Sequence, residues 1–167
     1  MITRCAPGVN DSWLRERSVL RIDPTRVRDT QTIQNVDDVR VLSAEVGGAI
    51  GSFHGQGEYF DYSVSRFGNS DLHFKGGYVQ AGYILTGEKR KYLQHDAAFG
   101  GVHPNNPFFW DVTGGIGAWE IAARYSYMDL NDNLVFGGKQ DNITVCKNLY
   151  LNDYVRVKYN CIHGTVA

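Results

Sequence analysis

Residues 119–130 read WEIAARYSYMDL, and the order of residues in this stretch decides the fold class. Trp119, Ile121, Ala123, Tyr125 and Tyr127 fall on one side of a two-residue repeat, with Glu120, Ala122, Arg124, Ser126 and Met128 on the other. Successive side chains of a strand point to opposite faces, so the alternation predicts a strand with one apolar and one largely polar side. A helix would mix the two sets, because its neighbours recur every three or four residues.

Outward from this stretch the pattern repeats. In 77–85, Val79, Ala81, Tyr83 and Leu85 oppose Tyr78, Gln80 and Gly82; in 43–50, Ala44, Val46, Gly48 and Ile50 oppose Ser43, Glu45, Gly47 and Ala49. The segment 53–64 starts with Gln56 and Glu58 against Gly57 and Tyr59, then loses its alternation near Phe60, which predicts a bulge there. Residues 142–150 and 154–162 flank Asn152-Asp153, residue types that tolerate the positive φ of a two-residue hairpin turn. In the second arm Val155, Val157 and Tyr159 oppose Arg156, Lys158 and Asn160. Two longer connections are expected at 87–114 and 129–138. The first carries Lys89, Arg90 and Lys91 and is long enough to be either functional or disordered. Residues 1–37 are polar and rich in Arg and Asp, with one possible short strand at 13–22, and are expected to be poorly ordered in isolation. The sheet is then confined to 38–167.

Composition agrees with an all-β chain. Nineteen Gly, ten Tyr and eight Phe stand against four Pro and two Met. Seventeen basic and eighteen acidic residues nearly cancel, so no global field draws nucleic acid and any charge selectivity must be local. Cys5, Cys146 and Cys161 have no metal-like spacing; the last two either face each other across the hairpin or stay unpaired. No apolar run approaches the roughly 18–20 residues of a membrane helix, and the first twenty residues lack the apolar core of a secretory signal.

Alternation also occurs in soluble sandwiches, so a membrane barrel needs further support. Tyr59, Tyr83, Trp119, Tyr125, Tyr127, Tyr150 and Tyr159 fall near segment ends, where the aromatic girdles of a spanning barrel lie. Glu45, Glu58, Gln80, Glu120, Arg124, Arg156 and Lys158 are all expected on one side of the sheet, an ionisable load that suits a water-filled lumen better than a dry core.

The blocks GGYVQAGYILTGEKRKY, GAWEIAARYSYMDLND, GGKQDNITV and YLNDYVRVKYNCIHG, preceded by RDTQTIQNVDDVRVLSAEVGGAIGSFHGQGEYF, resemble in series the C-terminal half of the phosphate-selective porin O and P family. The resemblance implies an antiparallel meander within an outer-membrane barrel of about sixteen strands. It further implies passive diffusion of phosphate or related anions past basic residues, a homotrimer and lipid contact; the residues themselves support no enzyme reading and no cofactor. Measured against the family, the chain is expected to be a fragment that cannot close a pore alone, lacking more than half the wall, a final strand with its terminal aromatic residue, and a signal peptide. Lys147, among Ile143, Val145 and Leu149, and Cys161 beside Val157 and Tyr159 are expected on the lipid side, where a lysine costs about 2–4 kcal/mol at mid-depth and little near an interface.

Arg124, Arg156 and Lys158 are the candidate anion-attracting residues, with Lys89, Arg90 and Lys91 as candidates for the pore mouth, on a connection expected to be periplasmic. The competing reading pairs the wall cations with lumen acids such as Glu120, Glu58 and Glu45, and treats 89–91 as a solvated charge run. Other motifs carry less. DLNDN at 129–133 lacks the glycine and downstream acid of a calcium loop, and Asn142-Ile143-Thr144 lies inside a strand. His54, His73, His95, His103 and His163 have no zinc-binding spacing and no nucleophile nearby, so no metal site or catalytic residue is assigned. A soluble β-rich module that holds a sugar or lipid with its aromatics is the alternative to a channel.

Overall fold

The computed structural model describes residues 2–5, 12–17, 26–29, 33–93, 95, 98–108, 114–132 and 135–166, with side-chain surroundings from residue 33 onward. Every regular element among them is a strand. Near the N-terminus, β1 (Ile2–Cys5), β2 (Ser12–Arg17) and β3 (Arg26–Asp29) form a small antiparallel sheet. The strand expected at 13–22 thus overlaps β2, while residues 18–22 lie outside the described residues, as does part of the segment expected to be poorly ordered.

The main sheet holds β4 (Val36–Ile50), β5 (Phe53–Arg66), β6 (Leu72–Ile84), β9 (Ala118–Asp132), β10 (Val135–Tyr150) and β11 (Arg156–Val166), in that spatial order. Each pairs antiparallel with its neighbour in the chain, which makes the sheet an open meander with β4 and β11 as its edges. The two-residue β7 (Tyr92–Leu93) and β8 (Ala98–Phe99) form a hairpin within the connection from β6 to β9. The upper end of the sheet carries the 67–71 turn. The opposite end carries the Gly51-Ser52 turn, the 85–117 connection and the 151–155 turn. Gly51 has a φ of 61°, the left-handed geometry that a two-residue hairpin needs and glycine adopts without strain.

The pairing fixes two faces. Trp119, Ile121, Ala123 and Tyr125 share theirs with Tyr83, Ala81 and Val79 of β6, with Leu149, Lys147, Val145 and Ile143 of β10, and with Val157, Tyr159 and Cys161 of β11. Through Phe53, Gly57 and Tyr59 it continues to Ile50, Val46 and Ala44. This Trp119 face is bare: Val46 is 76% exposed and Ile50 85%. It forms one contiguous apolar band, far more than the scattered apolar residues of an ordinary soluble surface. From Trp119 to Tyr127 the band runs eight residues, about 27 Å along the strand.

The band has a sharp upper boundary. Asp61, Lys75, Asp129 and Lys139 follow as successive cross-strand partners, a row of alternating charge over four strands. Above it the opposite, Glu120 face turns apolar, and Val64, Leu72, Phe74 and Leu130 bury themselves there with Ile33 and Val36. This exchange is what the sequence pattern near Phe60 records. No bulge occurs at that point: β5 pairs without interruption with β4 from Phe53 to Ser65 and with β6 from Phe53 to Val64. The polarity of the two faces swaps while the register continues. The irregularity of this hairpin lies instead in β4, between Val36 and Asp38.

Two further expectations are corrected, and the choice left open for Cys146 and Cys161 is decided. The 129–138 connection is mostly strand, since β9 runs to Asp132 and β10 starts at Val135, with a register shift between Phe136 and Lys139. The turn at 152–153 is not a two-residue hairpin turn. Residues 151–155 link the strands, and Asn152 Oδ1 accepts the backbone N–H groups of Tyr154 and Val155, both at 2.9 Å. Cys146 pairs with Asn160 and Cys161 with Val145, so the two thiols lie on opposite faces and both are free.

Candidate functional site

All seven residues expected on one side, Glu45, Glu58, Gln80, Glu120, Arg124, Arg156 and Lys158, lie on the Glu120 face. The pairing explains why. Gln56, Gln80, Arg124 and Thr144 form one cross-strand row, and Glu45, Glu58, Tyr78, Ser126 and Asn142 form the row beside it. Gln80 donates to Gln56 at 3.2 Å, and Gln56 in turn donates to Glu45. Arg124 is exposed, with its guanidinium carbon 3.8 Å from the centre of the Tyr78 ring. A guanidinium held over an aromatic ring keeps its charge while its position is restrained.

Nearer the lower end, Arg156 stands 5.7 Å from the centre of the Tyr150 ring, and Lys158 is the cross-strand partner of Asn148. Both cations are exposed. Acid and base therefore occupy different parts of this face: Glu45 and Glu58 on β4 and β5, the exposed cations on β9 and β11.

Glu120 is different, being only 1% exposed. Its Oε1 meets His54 Nε2 at 2.7 Å and accepts from Arg90 at 3.2 Å; its Oε2 accepts from Asn148 at 2.8 Å and from the Tyr150 hydroxyl at 2.6 Å. Both oxygens are thus fully engaged, which is what a buried carboxylate requires. Tyr150 is correspondingly not part of an aromatic girdle. Its parity on β10 turns it to the Glu120 face, where it is buried against Ile84, Val102 and Ala118.

Arg90 belongs to the connection, so this carboxylate ties the connection to the wall. Arg90 also donates to the Gly100 carbonyl at 3.0 Å and lies over the Phe99 ring. Phe99 packs on both His54 and Tyr92, at ring separations of 5.1 Å. The connection is held at its ends as well: Trp119 N–H donates to Thr86, Asn105 N–H to the buried Glu88, and Phe108 N–H to the Leu151 carbonyl. Lys89 and Lys91, on either side of Arg90, are exposed. Glu120 and Arg90 stand out in the sequence as site candidates, whereas His54, Asn148 and Tyr150, 28 to 66 residues from Glu120 along the chain, do not. No group of three or more metal-ligating side chains gathers among the described residues.

On the Trp119 face, Lys147 extends over the Trp119 ring at 4.5 Å and is the cross-strand partner of Tyr159. It lies in the lowest part of the apolar band, one strand step from the band's end at Trp119.

A family model described as phosphate-selective porin O and P matches residues 11–167. The chain is similar to Porin O of Pseudomonas aeruginosa, with 33% identity over 133 residues, covering 72% of this chain and 28% of that protein. It is also similar to an uncharacterized protein of Caulobacter vibrioides, with 32% identity over 127 residues, covering 76% and 24% respectively. The chain spans about a quarter of the length of these curated relatives.

Proposed function

The chain belongs to the phosphate-selective porin O and P family, and from that premise we propose that its main sheet is a sector of an outer-membrane barrel wall of about sixteen strands. The Trp119 face meets lipid and the Glu120 face lines a water-filled bore. As a porin-family protein the chain is not an enzyme. Phosphate or related anions diffuse through the intact barrel, drawn by Arg124, Arg156 and Lys158, with Lys89 and Lys91 adding positive potential at the mouth. The homotrimer and the lipid contact are carried over from the family.

One observation carries this reading: a contiguous bare apolar band on one face lies behind exposed cations on the other. At the usual strand tilt the band spans roughly 20 Å, close to the apolar belt of about 25 Å in such barrels. Phe53, Tyr83, Trp119 and Tyr159 supply one aromatic margin, and Tyr59, Tyr125 and Tyr127 the other. A soluble module would have to leave that band in water, a large cost with nothing to offset it.

Reversal potentials of the intact barrel in a planar bilayer test the proposal. Anion preference is expected, and Arg124→Glu should reduce the anion-to-cation permeability ratio several-fold. Cation preference in the unmutated barrel would overturn the reading.

A further inference from the structure

The charged row that bounds the apolar band leaves its own charges unpaired. Asp61, Lys75, Asp129 and Lys139 are cross-strand neighbours in turn, about 5 Å apart from strand to strand, yet no ion pair joins any two of them among the described residues. Asp129 accepts from the Tyr127 hydroxyl at 3.0 Å and from the Asn131 N–H at 3.1 Å, and the Lys139 ammonium lies 5.1 Å from the centre of the Tyr127 ring. The side chains of Asp61 and Lys75 have no hydrogen-bond partner among the described residues.

Between β5, β6 and β9 the row opens into a cavity of about 340 Å³, lined by Asp61, His73, Lys75, Asp129, Asn131 and Asp132. Its wall is fixed: the His73 N–H donates to Asp132 at 2.6 Å, and the His73 Nδ1 lies 3.1 Å from the Ser63 hydroxyl. All the lining residues except Asp132 have the parity of the Trp119 face, so the cavity lies at the edge of the apolar band. Directly beneath, Gly77 stands between Tyr59 and Tyr127 and leaves a gap in the aromatic margin. A polar cavity that continues into bare apolar surface fits a molecule with a charged head and a hydrocarbon tail.

The order of charges selects the head. An anionic head would meet Asp61 and Asp129, and a cationic one Lys75 and Lys139. A head with both charges, about one strand spacing apart, meets an opposite charge at each. A primary ammonium brings three N–H donors to the carboxylates. A quaternary ammonium has none and needs open aromatic faces, and the Tyr127 ring already carries Lys139.

We propose that this cavity is a lipid-headgroup site on the barrel wall, where Asp61 and Asp129 hold the ammonium and Lys75 the phosphate of a phosphoethanolamine head whose acyl chains pass Gly77 onto the band. This rests on the wall reading above and goes beyond it by naming the lipid.

Native mass spectrometry of the intact barrel in detergent tests the proposal, with phosphatidylethanolamine, phosphatidylcholine and phosphatidylglycerol added in equal amounts. Phosphatidylethanolamine is expected to be retained about three-fold more than either of the others. Asp61→Lys should abolish that preference and favour phosphatidylglycerol. Exchanging the two charges, Asp61→Lys with Lys75→Asp, should restore it, a rescue that a merely structural role would not give. Asp61→Asn and Lys75→Gln, each expected to lower the preference, serve where a reversed charge impairs folding. Equal retention of the three lipids by the parent, a parent that prefers phosphatidylglycerol, or an unchanged preference in both Asp61→Asn and Lys75→Gln would overturn the proposal. An intact protein that stays dispersed in water without detergent would instead remove the wall reading beneath it.

Discussion

The Glu120 face is covered at both ends of the sheet, by opposite means. At the upper end Ile33 covers an apolar cluster of Val64, Leu72, Phe74 and Leu130, with no ionisable group among its buried members. At the lower end the 85–117 connection is tied down by a carboxylate, an imidazole and a guanidinium, with only a small apolar cluster beside them. The contrast teaches what each end is built to do. Apolar packing is non-directional and strong in aggregate, so it suits a permanent cover over the strands. A saturated carboxylate is directional and contributes little net stability, so it suits the placing of a segment at a chosen point.

The largest expected effect breaks the upper end. Phe74→Ala should destabilise the barrel by about 3–5 kcal/mol, since Phe74 is fully buried and its loss leaves a cavity. Urea-induced unfolding from liposomes reads this, and anion selectivity should not change. Gly82→Ala attacks the lower end by crowding His54 and Glu120. It should cost about 1–3 kcal/mol as overpacking and, unlike Phe74→Ala, should alter conductance. Raising ionic strength from about 0.1 to 1 M shrinks the Debye length from about 10 to 3 Å. That should weaken the selectivity proposed for the exposed cations while leaving the cost of Phe74→Ala unaltered. Smallest is Lys147→Leu, expected to shift stability by less than about 1 kcal/mol, because the proposed barrel wall would set Lys147, beside Trp119 and Tyr159, at a membrane interface. A change of about 2 kcal/mol or more would place it at mid-depth.

Local patterning made much of the sheet legible. The alternation in 119–130 and 77–85 identifies the faces correctly, because a strand's parity is a property of the chain itself. Sequence and structure part where two physical demands share one signal. Near Phe60 a change in what surrounds each face looks like a slipped register, and only the continuous pairing tells them apart. At 151–155, Asn152-Asp153 suggested a two-residue turn, which would have set Leu149 opposite Arg156. The joint apolar parity of Leu149 and Val157 already required an odd-numbered turn. The site was less legible. Acidic and basic residues on one face could be listed by counting, but nothing local to Glu120 announces His54 or Tyr150. Those contacts depend on how the 85–117 connection folds back, which alternation does not encode.

In the proposed barrel wall, the row of Asp61, Lys75, Asp129 and Lys139 has a consequence for how the molecule floats. Its alternating charges leave no net pull toward either sign, yet each residue resists being drawn into oil, so the row works as a Plimsoll line painted on the hull. A thicker or thinner host bilayer would then have to deform around this mark, because the hull would neither sink past it nor ride up.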